Sequence, residues 1–203
     1  MTRILLTAFE PFGGDSENAS LAALRLLEEQ WSGDDELICA QLSVTFDQSG
    51  FVALVEEHMP DVVVALGEAG GRDAITVERW GINQQRARIP DNAGAQPDGE
   101  PVIVGAPERR EATLDPQLIV DAIRDEGWAA EISDDAGRFV CNTVAYLAYG
   151  LDVPAVFIHV PALRSSGVAT VGAETGGITT ATGNLAESVE DLASAIAAAL
   201  TCL

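Results

Sequence analysis

The 203-residue sequence contains no lysine, and its 11 basic residues, all arginine, are set against 32 acidic residues, which gives a formal net charge of −21. A protein that binds nucleic acid through the phosphate backbone needs a basic face, which so few cations can hardly supply. An anionic membrane surface is a poor partner for the same reason. We therefore expect neither nucleic acid nor a membrane among the partners of this chain.

Cysteine is scarce as well, with three residues at positions 39, 141 and 202. This is an odd number in a chain long enough to bury a core without disulfide bonds. No CxxC motif or Cys/His pair has zinc spacing, so we expect no metal site. The first apolar run reaches Glu10 too early for a signal peptide, and no stretch approaches the roughly 20 apolar residues of a membrane helix. These absences predict a reduced, cytoplasmic protein.

Hydrophobic residues make up 47% of the chain, which argues against disorder. The apolar pattern alternates between β-like and helical segments, which predicts one α/β domain over residues 1–203, with a mostly parallel, twisted sheet and helices on both faces. The predicted strands are 3–8, 36–44, 61–66, 74–83, 129–133 and 155–160. The predicted helices are 20–31, with Ser20 as a capping residue, and 47–59, 118–126, 139–149 and 185–200. Residues 84–116 are predicted to be rich in loops.

Two histidines restrict the search for a nucleophile and its base. His58 closes a predicted helix, where a cation is favoured by the helix dipole. His159 lies in an apolar strand, where a lone histidine is more often a core residue than a catalyst. Cys141 is the cysteine at a predicted helix start, a position that lowers a thiol pKa, although free cysteines are often simply buried. Glu78 is a candidate for the acid that orients a histidine, since it lies in a segment with β character.

Four ordered blocks resemble the pyroglutamyl peptidase I family, also called the pyrrolidone-carboxylate peptidases. The first is FEPFGG at 9–14 with NAS at 18–20. The second is GEAGGR at 67–72, followed by Glu78-Arg79 and by ARIPDN at 87–92. The third is AGRFVCN at 136–142, and the fourth is FIHVP at 157–161. The four blocks fall in order between residues 3 and 161, which makes the resemblance specific.

The resemblance implies a catalytic triad of Cys141 as nucleophile, His159 as general base and then acid, and Glu78 as the residue that orients the imidazole. It implies the release of N-terminal pyroglutamyl residues from peptides through a thioester acyl-enzyme, without a cofactor or metal. Arg88 matches a family arginine that helps to hold the oxyanion. The substrate-binding residues that it implies are Phe9, Phe12, Asn18, Phe139 and Val140. Family members assemble as dimers or tetramers, so a homo-oligomer is also expected.

Two departures from the family pattern keep other functions open. Glu68 stands where the family commonly has glutamine, which removes an amide donor, and the connection from Cys141 to His159 is shorter than usual. A non-catalytic module that binds pyroglutamate or another small molecule on the same fold is one alternative. A related cysteine amidohydrolase that acts on another lactam or amide is the other.

The charge itself suggests two hypotheses. A dense carboxylate surface stays hydrated where salt screens its self-repulsion, which suggests adaptation to a salt-rich or acid-rich cytoplasm. The second concerns the distribution of arginine, because Arg72, Arg79, Arg86 and Arg88 lie close together around the candidate acid and oxyanion donor. We expect this segment to be locally basic and to counter the rise in thiol pKa that a strongly negative protein would cause.

Overall fold

The computed structural model describes residues 1–163, 181 and 183–203. These residues form ten strands and five helices, in the alternating order that the apolar pattern predicts. The helices are α1 (Ala19–Gln30), α2 (Ser49–His58), α3 (Pro116–Asp125), α4 (Val140–Ala148) and α5 (Val189–Thr201). The strands are β1 (Arg3–Phe9), β2 (Glu36–Leu42), β3 (Val62–Ala69), β4 (Ile75–Glu78), β5 (Trp80–Ile82), β6 (Gln85–Arg86), β7 (Asp98–Glu100), β8 (Arg109–Glu111), β9 (Ala130–Ser133) and β10 (Ala155–Pro161).

Six strands form the main sheet, in the order β2-β1-β3-β10-β4-β9. Strands β2, β1, β3 and β10 are parallel to one another, whereas β4 pairs antiparallel with β10 and parallel with β9. The predicted mostly parallel α/β sheet is therefore confirmed, with two reversed strands at one edge. Two short antiparallel pairs, β5-β8 and β6-β7, lie outside this sheet.

Helices cover both faces of the sheet, as predicted. One apolar core joins the sheet to α1, α3 and α5, and Leu24, Ile123 and Ile196 belong to it. The second core lies on the other face under α2 and α4, and Phe51, Val144 and Phe157 belong to it. Because side chains alternate along a strand, β1, β3 and β10 contribute to both cores.

Several predicted boundaries need correction. Asn18, not Ser20, caps α1, since its side chain accepts a hydrogen bond from the Ser20 N–H at 3.0 Å and Ser20 itself is buried inside the helix. Helix α5 begins four residues later than predicted, at a capping box in which Ser188 Oγ accepts from the Asp191 N–H at 3.1 Å. The predicted strand 74–83 is divided between β4 in the main sheet and β5 outside it. His58 ends α2, as predicted.

The glycine-rich stretch after residue 66 also differs from the prediction. Gly67, Glu68 and Ala69 continue β3, and the turn begins at Gly70. The register with β10 pairs Gly67 with His159 and Ala69 with Pro161. Two of the resemblance blocks therefore lie side by side near the carboxyl end of neighbouring parallel strands. Within residues 1–163, 181 and 183–203, no helix has the length and apolar character needed to cross a membrane.

Candidate active site

Strands β10 and β4 bring the candidate base and acid together. Glu78 is opposite Phe157 in the register and His159 is opposite Thr76, so Glu78 and His159 are diagonal neighbours on one face of the sheet. His159 Nδ1 lies 2.7 Å from Glu78 Oε1, and both side chains are almost fully buried. An ionised carboxylate can only accept, so Nδ1 carries the shared proton and Nε2 is left as the basic atom.

Helix α4 places the thiol of Cys141 over the same part of the sheet. The helix begins at Val140, so Cys141 lies in its first turn, as predicted. A Cβ atom added to Gly67 would lie 2.9 Å from Cys141 Sγ and 2.7 Å from Phe157 Cζ. The thiol thus occupies the space that the missing side chain leaves, beside the strand position of His159. This close approach explains why residue 67 is glycine.

The electrostatics of the three groups describe a resting site with one charged member. Burial raises the pKa of Cys141 to about 12, and the carboxylates of Glu78 and Glu68 add to the rise. Burial lowers the pKa of His159, against the opposing effect of Glu78. The pKa of Glu78 is lowered despite its burial, because His159 and Arg72 favour its ionised form. The expected lowering of the thiol pKa by the helix start is therefore wrong here, because burial and the nearby carboxylates outweigh it.

Arg72 is a member of this cluster to which the sequence analysis gave no such role. Its side chain is 9% exposed, and Nη1 donates to both Glu78 Oε1 and Thr76 Oγ1. Its Nη2 donates to the carbonyl oxygen of Asp135 at 2.7 Å. The sequence signal was the position of an arginine directly after the glycine-rich turn, within the arginine-rich segment.

The other arginines of that segment are distributed differently. Arg79 pairs with Asp134 at 3.1 Å, and Arg86 approaches Asp98 at 3.4 Å, each with side chains more than one third exposed. Arg88 is an exposed residue beside the buried Ala87, and its carbonyl accepts from Gln96 Nε2 at 2.9 Å. Among the described ion pairs of these four arginines, that of Arg72 alone includes a candidate triad residue. The positive charge expected of this segment therefore acts on the candidate triad through Arg72.

Aromatic side chains surround the cluster on one side. The ring of Phe139 lies 5.0 Å from that of Phe12 and 5.1 Å, edge to face, from that of Phe46. Phe157 connects Phe9 to the site, with ring centroids 6.5 Å from Phe9 and 4.9 Å from the imidazole of His159. Phe46 was not identified from the sequence, because a single phenylalanine in a loop has no pattern that distinguishes it.

The implied substrate-binding residues fall into two groups. Phe12 and Phe139 are partly exposed, so a ligand can contact them. Phe9 and Val140 are buried in the second core, at 2% and 1% exposure, and back the site from inside. Asn18 caps α1, accepts also from Ser20 Oγ at 2.7 Å and donates from Nδ2 to the Glu10 carbonyl at 3.1 Å, so its amide already makes three structural hydrogen bonds. Their roles toward a substrate stay predictions.

The side chain of Glu68 does not lie on the same face of the sheet as the Cys141 thiol, although Glu68 is next to Gly67 in the sequence. It follows Gly67 in β3, so its side chain leaves the sheet on the opposite face. Its Oε2 accepts from the Ala19 N–H at 2.6 Å, at the start of α1. A carboxylate is favoured there by the helix dipole, which gives glutamate a physical reason in this chain.

Metal-binding residue types do not gather in the part of the chain that the structure describes. There, no three His, Cys, Asp or Glu side chains are arranged to hold a metal ion. The chemistry available to the site is that of a thiol, an imidazole, a buried carboxylate and an arginine.

Comparisons with known proteins show the family to which the chain belongs. A family model for pyroglutamyl peptidase matches residues 2–201. The pyrrolidone-carboxylate peptidase of Thermococcus onnurineus is 43% identical over 167 residues, which cover 78% of this chain and 83% of the relative. That of Escherichia fergusonii is 42% identical over 180 residues, 85% of this chain and 84% of the relative.

Solved structures give the same result. The crystal structure of Bacillus amyloliquefaciens pyroglutamyl peptidase I has a TM-score of 0.86 at 31% identity and covers 99% of this chain and 96% of its own. The pyrrolidone carboxyl peptidase from Thermococcus litoralis has a TM-score of 0.84 at 32% identity, with 100% and 93% covered. The likeness in sequence and that in fold thus agree over nearly the whole chain.

Proposed function

Because the chain belongs to the pyroglutamyl peptidase family, we propose that its Cys141, His159 and Glu78 carry out the family reaction, the removal of an N-terminal pyroglutamyl residue from a peptide. The chain is accordingly a cysteine-type hydrolase, an omega peptidase. The observation that supports the assignment of roles is the 2.7 Å contact of His159 Nδ1 with Glu78 Oε1, on the strands over which the Cys141 thiol lies.

The first half of the reaction transfers the pyroglutamyl group to sulfur. His159 Nε2 takes the thiol proton as Sγ attacks the carbonyl carbon, because the raised pKa keeps that proton on sulfur until a substrate arrives. A tetrahedral intermediate forms with a new C–S bond and an oxyanion. When it collapses, the imidazolium gives its proton to the leaving amine, the C–N bond breaks, and a thioester remains on Cys141.

The second half regenerates the enzyme. His159 removes a proton from water, whose oxygen attacks the thioester carbonyl. The C–S bond then breaks, sulfur recovers the proton from the imidazolium, and free pyroglutamate leaves. Glu78 remains ionised throughout, since its lowered pKa matches the role of stabilising the imidazolium and fixing the tautomer.

Two donors are proposed for the oxyanion. The first is the backbone N–H of Cys141, since the first N–H groups of a helix have no intrahelical acceptor. The second is Arg88, whose segment runs beside the nucleophile loop, where the Arg86 N–H donates to the Arg138 carbonyl at 2.8 Å. A fixed positive group there favours the charge of the tetrahedral intermediate.

The proposed pocket for the lactam ring is made of aromatic side chains. Phe12 and Phe139 present their partly exposed rings to it, while Phe9, Val140 and Asn18 hold its walls from behind. A pyroglutamyl ring is flat and neutral, so apolar walls and a few hydrogen bonds suffice to bind it. An ordinary charged N-terminus is rejected, because its ammonium group would be buried without a partner.

A chromogenic pyroglutamyl amide tests this function. We expect the reduced protein to release the chromophore, to leave the corresponding prolyl amide intact, and to lose turnover in C141S. The matched controls C39S and C202S replace the other two thiols and are expected to remain active. Binding of free pyroglutamate without any hydrolysis would support a binding module instead, and turnover by C141S would exclude Cys141 as nucleophile.

The natural substrate class is pyroglutamyl peptides. A cytoplasmic location and a homo-oligomeric state, dimer or tetramer, stay predictions of the sequence. Fractionation of the native cells tests the first, and light scattering across a concentration series tests the second.

A further inference from the structure

Arg72 makes three hydrogen bonds to Glu78, Thr76 and Asp135, and they point in two directions. Toward the sheet, Nη1 donates to Glu78 Oε1 and to Thr76 Oγ1, the acceptors nearest to His159 in the register. Toward the loop, Nη2 donates to the Asp135 carbonyl at 2.7 Å. The planar guanidinium fork suits such a bridge, because its donors are fixed relative to one another.

The loop that Arg72 reaches leads directly to the nucleophile. Asp135 Oδ1 accepts from the Gly137 N–H at 3.0 Å and pairs with Arg138 Nη1 at 2.8 Å, and α4 begins two residues after Arg138. The guanidinium therefore connects the acid of the triad to the loop that precedes α4, the helix that contains Cys141.

The carboxylate of Glu78 has few other hydrogen-bond donors. His159 Nδ1, Arg72 Nη1 and, at 3.5 Å, Thr76 Oγ1 share Oε1, while Oε2 is buried and has no hydrogen-bond partner within the part of the chain that the structure describes. The Ser133 hydroxyl, opposite Glu78 in the β4-β9 register, helps to lower the carboxyl pKa, but it is occupied with the backbone of Asp135 at 3.2–3.3 Å. A buried carboxylate with so few donors depends strongly on each of them.

We propose that Arg72 is a positioning residue of the triad, which holds the Glu78 carboxylate in register with His159 and ties it to the loop that carries Cys141. This inference rests on the proposed function, since it assigns Arg72 a task within that triad. Arg72 acts through Glu78 and the loop, without contact with the substrate.

The charged and titratable groups that act on the triad come from every element around it. They are His159 on β10, Glu78 on β4, Glu68 on β3, Cys141 on α4 and Tyr149 at its end, whose hydroxyl donates to the Glu78 carbonyl at 2.6 Å. The turn after β3 adds Arg72, a cation that lowers the pKa of both His159 and Cys141. Its removal therefore raises both values.

The test compares R72A and R72K with R79A. Arg79 is the matched control, because it also pairs with this loop, through Asp134, but its side chain is 37% exposed and makes no described ion pair with the triad. We expect kcat/KM of R72A to fall on the order of 10²-fold, as for a misplaced catalytic group. R72K, which keeps the charge but not the fork, should lose less, and R79A should stay within about 2-fold of the native protein.

Two further measurements separate positioning from a general loss of structure. Guanidinium at low millimolar concentration should restore part of the R72A activity, which a loosened fold does not allow. The acid limb of the R72A pH profile should also move to higher pH, because Arg72 no longer lowers the pKa of His159. Iodoacetamide labelling of Cys141 at pH 8, followed by peptide mass spectrometry, should be slower in R72A than in R79A. A merely structural role would open the site and make labelling faster.

The outcomes are distinct. Equal kcat/KM in R72A and R79A, or faster labelling in R72A, overturns the proposal. If R72A does not fold, R72K decides it, since an activity equal to that of R79A has the same consequence. If the native protein cleaves no pyroglutamyl amide, the proposed function fails, while the labelling comparison still decides the role of Arg72.

Discussion

Two buried carboxylates among the described residues, Glu78 and Asp91, are held in opposite ways. Asp91 is 6% exposed and accepts three backbone N–H bonds, from Phe46 at 2.7 Å, Ala93 at 2.9 Å and Ala95 at 2.8 Å. Glu78 is completely buried and accepts, through a single oxygen, from the side chains of Arg72, His159 and, at 3.5 Å, Thr76. One carboxylate is held by backbone donors, whereas the other is held by side chains, two of which are ionisable.

This difference distinguishes a carboxylate with a structural role from one that suits the catalytic role proposed for Glu78. Backbone donors do not titrate and hold a loop in place, so Asp91 fixes the loop at 91–95 to the backbone of Phe46. Ionisable partners make the energy of Glu78 depend on where the proton of His159 resides, which is what a triad acid requires. Burial alone, therefore, does not distinguish the two carboxylates, whereas the nature of their donors does.

The largest effect is expected from E78Q. The amide keeps the size of the side chain but removes the charge that stabilises the imidazolium. Its NH₂ group can also donate to His159 Nδ1, which favours the wrong tautomer, with the proton on Nε2. We expect kcat to fall by roughly 10³- to 10⁴-fold, as for the loss of a triad acid. Steady-state kinetics with a pyroglutamyl amide measure this, and a loss below 10-fold would contradict the role of Glu78.

D91A should reverse the pattern, with a large effect on stability and a small one on catalysis. It leaves three backbone N–H groups without their acceptor, which should lower the free energy of unfolding by about 2–3 kcal/mol. Urea unfolding measures the loss, and kinetics corrected for the folded fraction should stay within about 10-fold of the native value. Equal losses of activity in D91A and E78Q would erase the distinction between the two carboxylates.

Acidification should destabilise the fold through both His159 and Glu78, because the folded pKa of each is lowered. The folded pKa of His159 lies below its ordinary 6.5 and that of Glu78 below 4.5. The unfolded chain therefore binds more protons in each interval, and the free energy of unfolding falls as the pH drops through it. The acid limb of kcat/KM should accordingly have its midpoint below 6.5. A midpoint above that value would show that His159 is not held neutral by burial.

The smallest effect concerns the acidic surface that surrounds both carboxylates. Exposed carboxylates repel one another at a net charge of −21, and salt screens that repulsion. Raising the ionic strength should stabilise the fold on the order of 1 kcal/mol, about 2–4 °C in Tm, while the buried Glu78 pair responds little. Calorimetry in a salt series measures this, and full stability without added salt would count against an adaptation to salt.

The sequence predicted the elements of this fold better than their arrangement. The apolar segments at 3–8 and 155–160 match β1 and β10 closely, since a buried strand is visible as a run of apolar residues. The reversal of β4 and β9 could not be predicted, because strand direction depends on connections and not on local pattern. Asn18 was missed as a cap because either Asn18 or Ser20 satisfies the local signal.

The site shows the same limit. Motifs indicated Cys141, His159 and Glu78, and the structure pairs Glu78 with His159 and places the Cys141 thiol against Gly67, the register partner of His159. The contacts of Arg72 with Glu78 and Asp135 depend on a turn that places residue 72 beside residue 135. Residues so far apart in the sequence give no local pattern from which this contact could be predicted. The raised pKa of Cys141 likewise follows from the packing of its thiol against the sheet, which a helix start alone does not show.

The central claim is that Cys141 forms a covalent thioester under the control of a buried Glu78-His159 pair. Rapid acid quenching of the enzyme with a pyroglutamyl ester or amide, followed by peptide mass spectrometry, tests it most directly. We predict a pyroglutamyl adduct on the peptide that contains Cys141, with none on those of Cys39 or Cys202, and a much smaller burst in E78Q. Turnover without this adduct, or an adduct on another cysteine, would contradict the account.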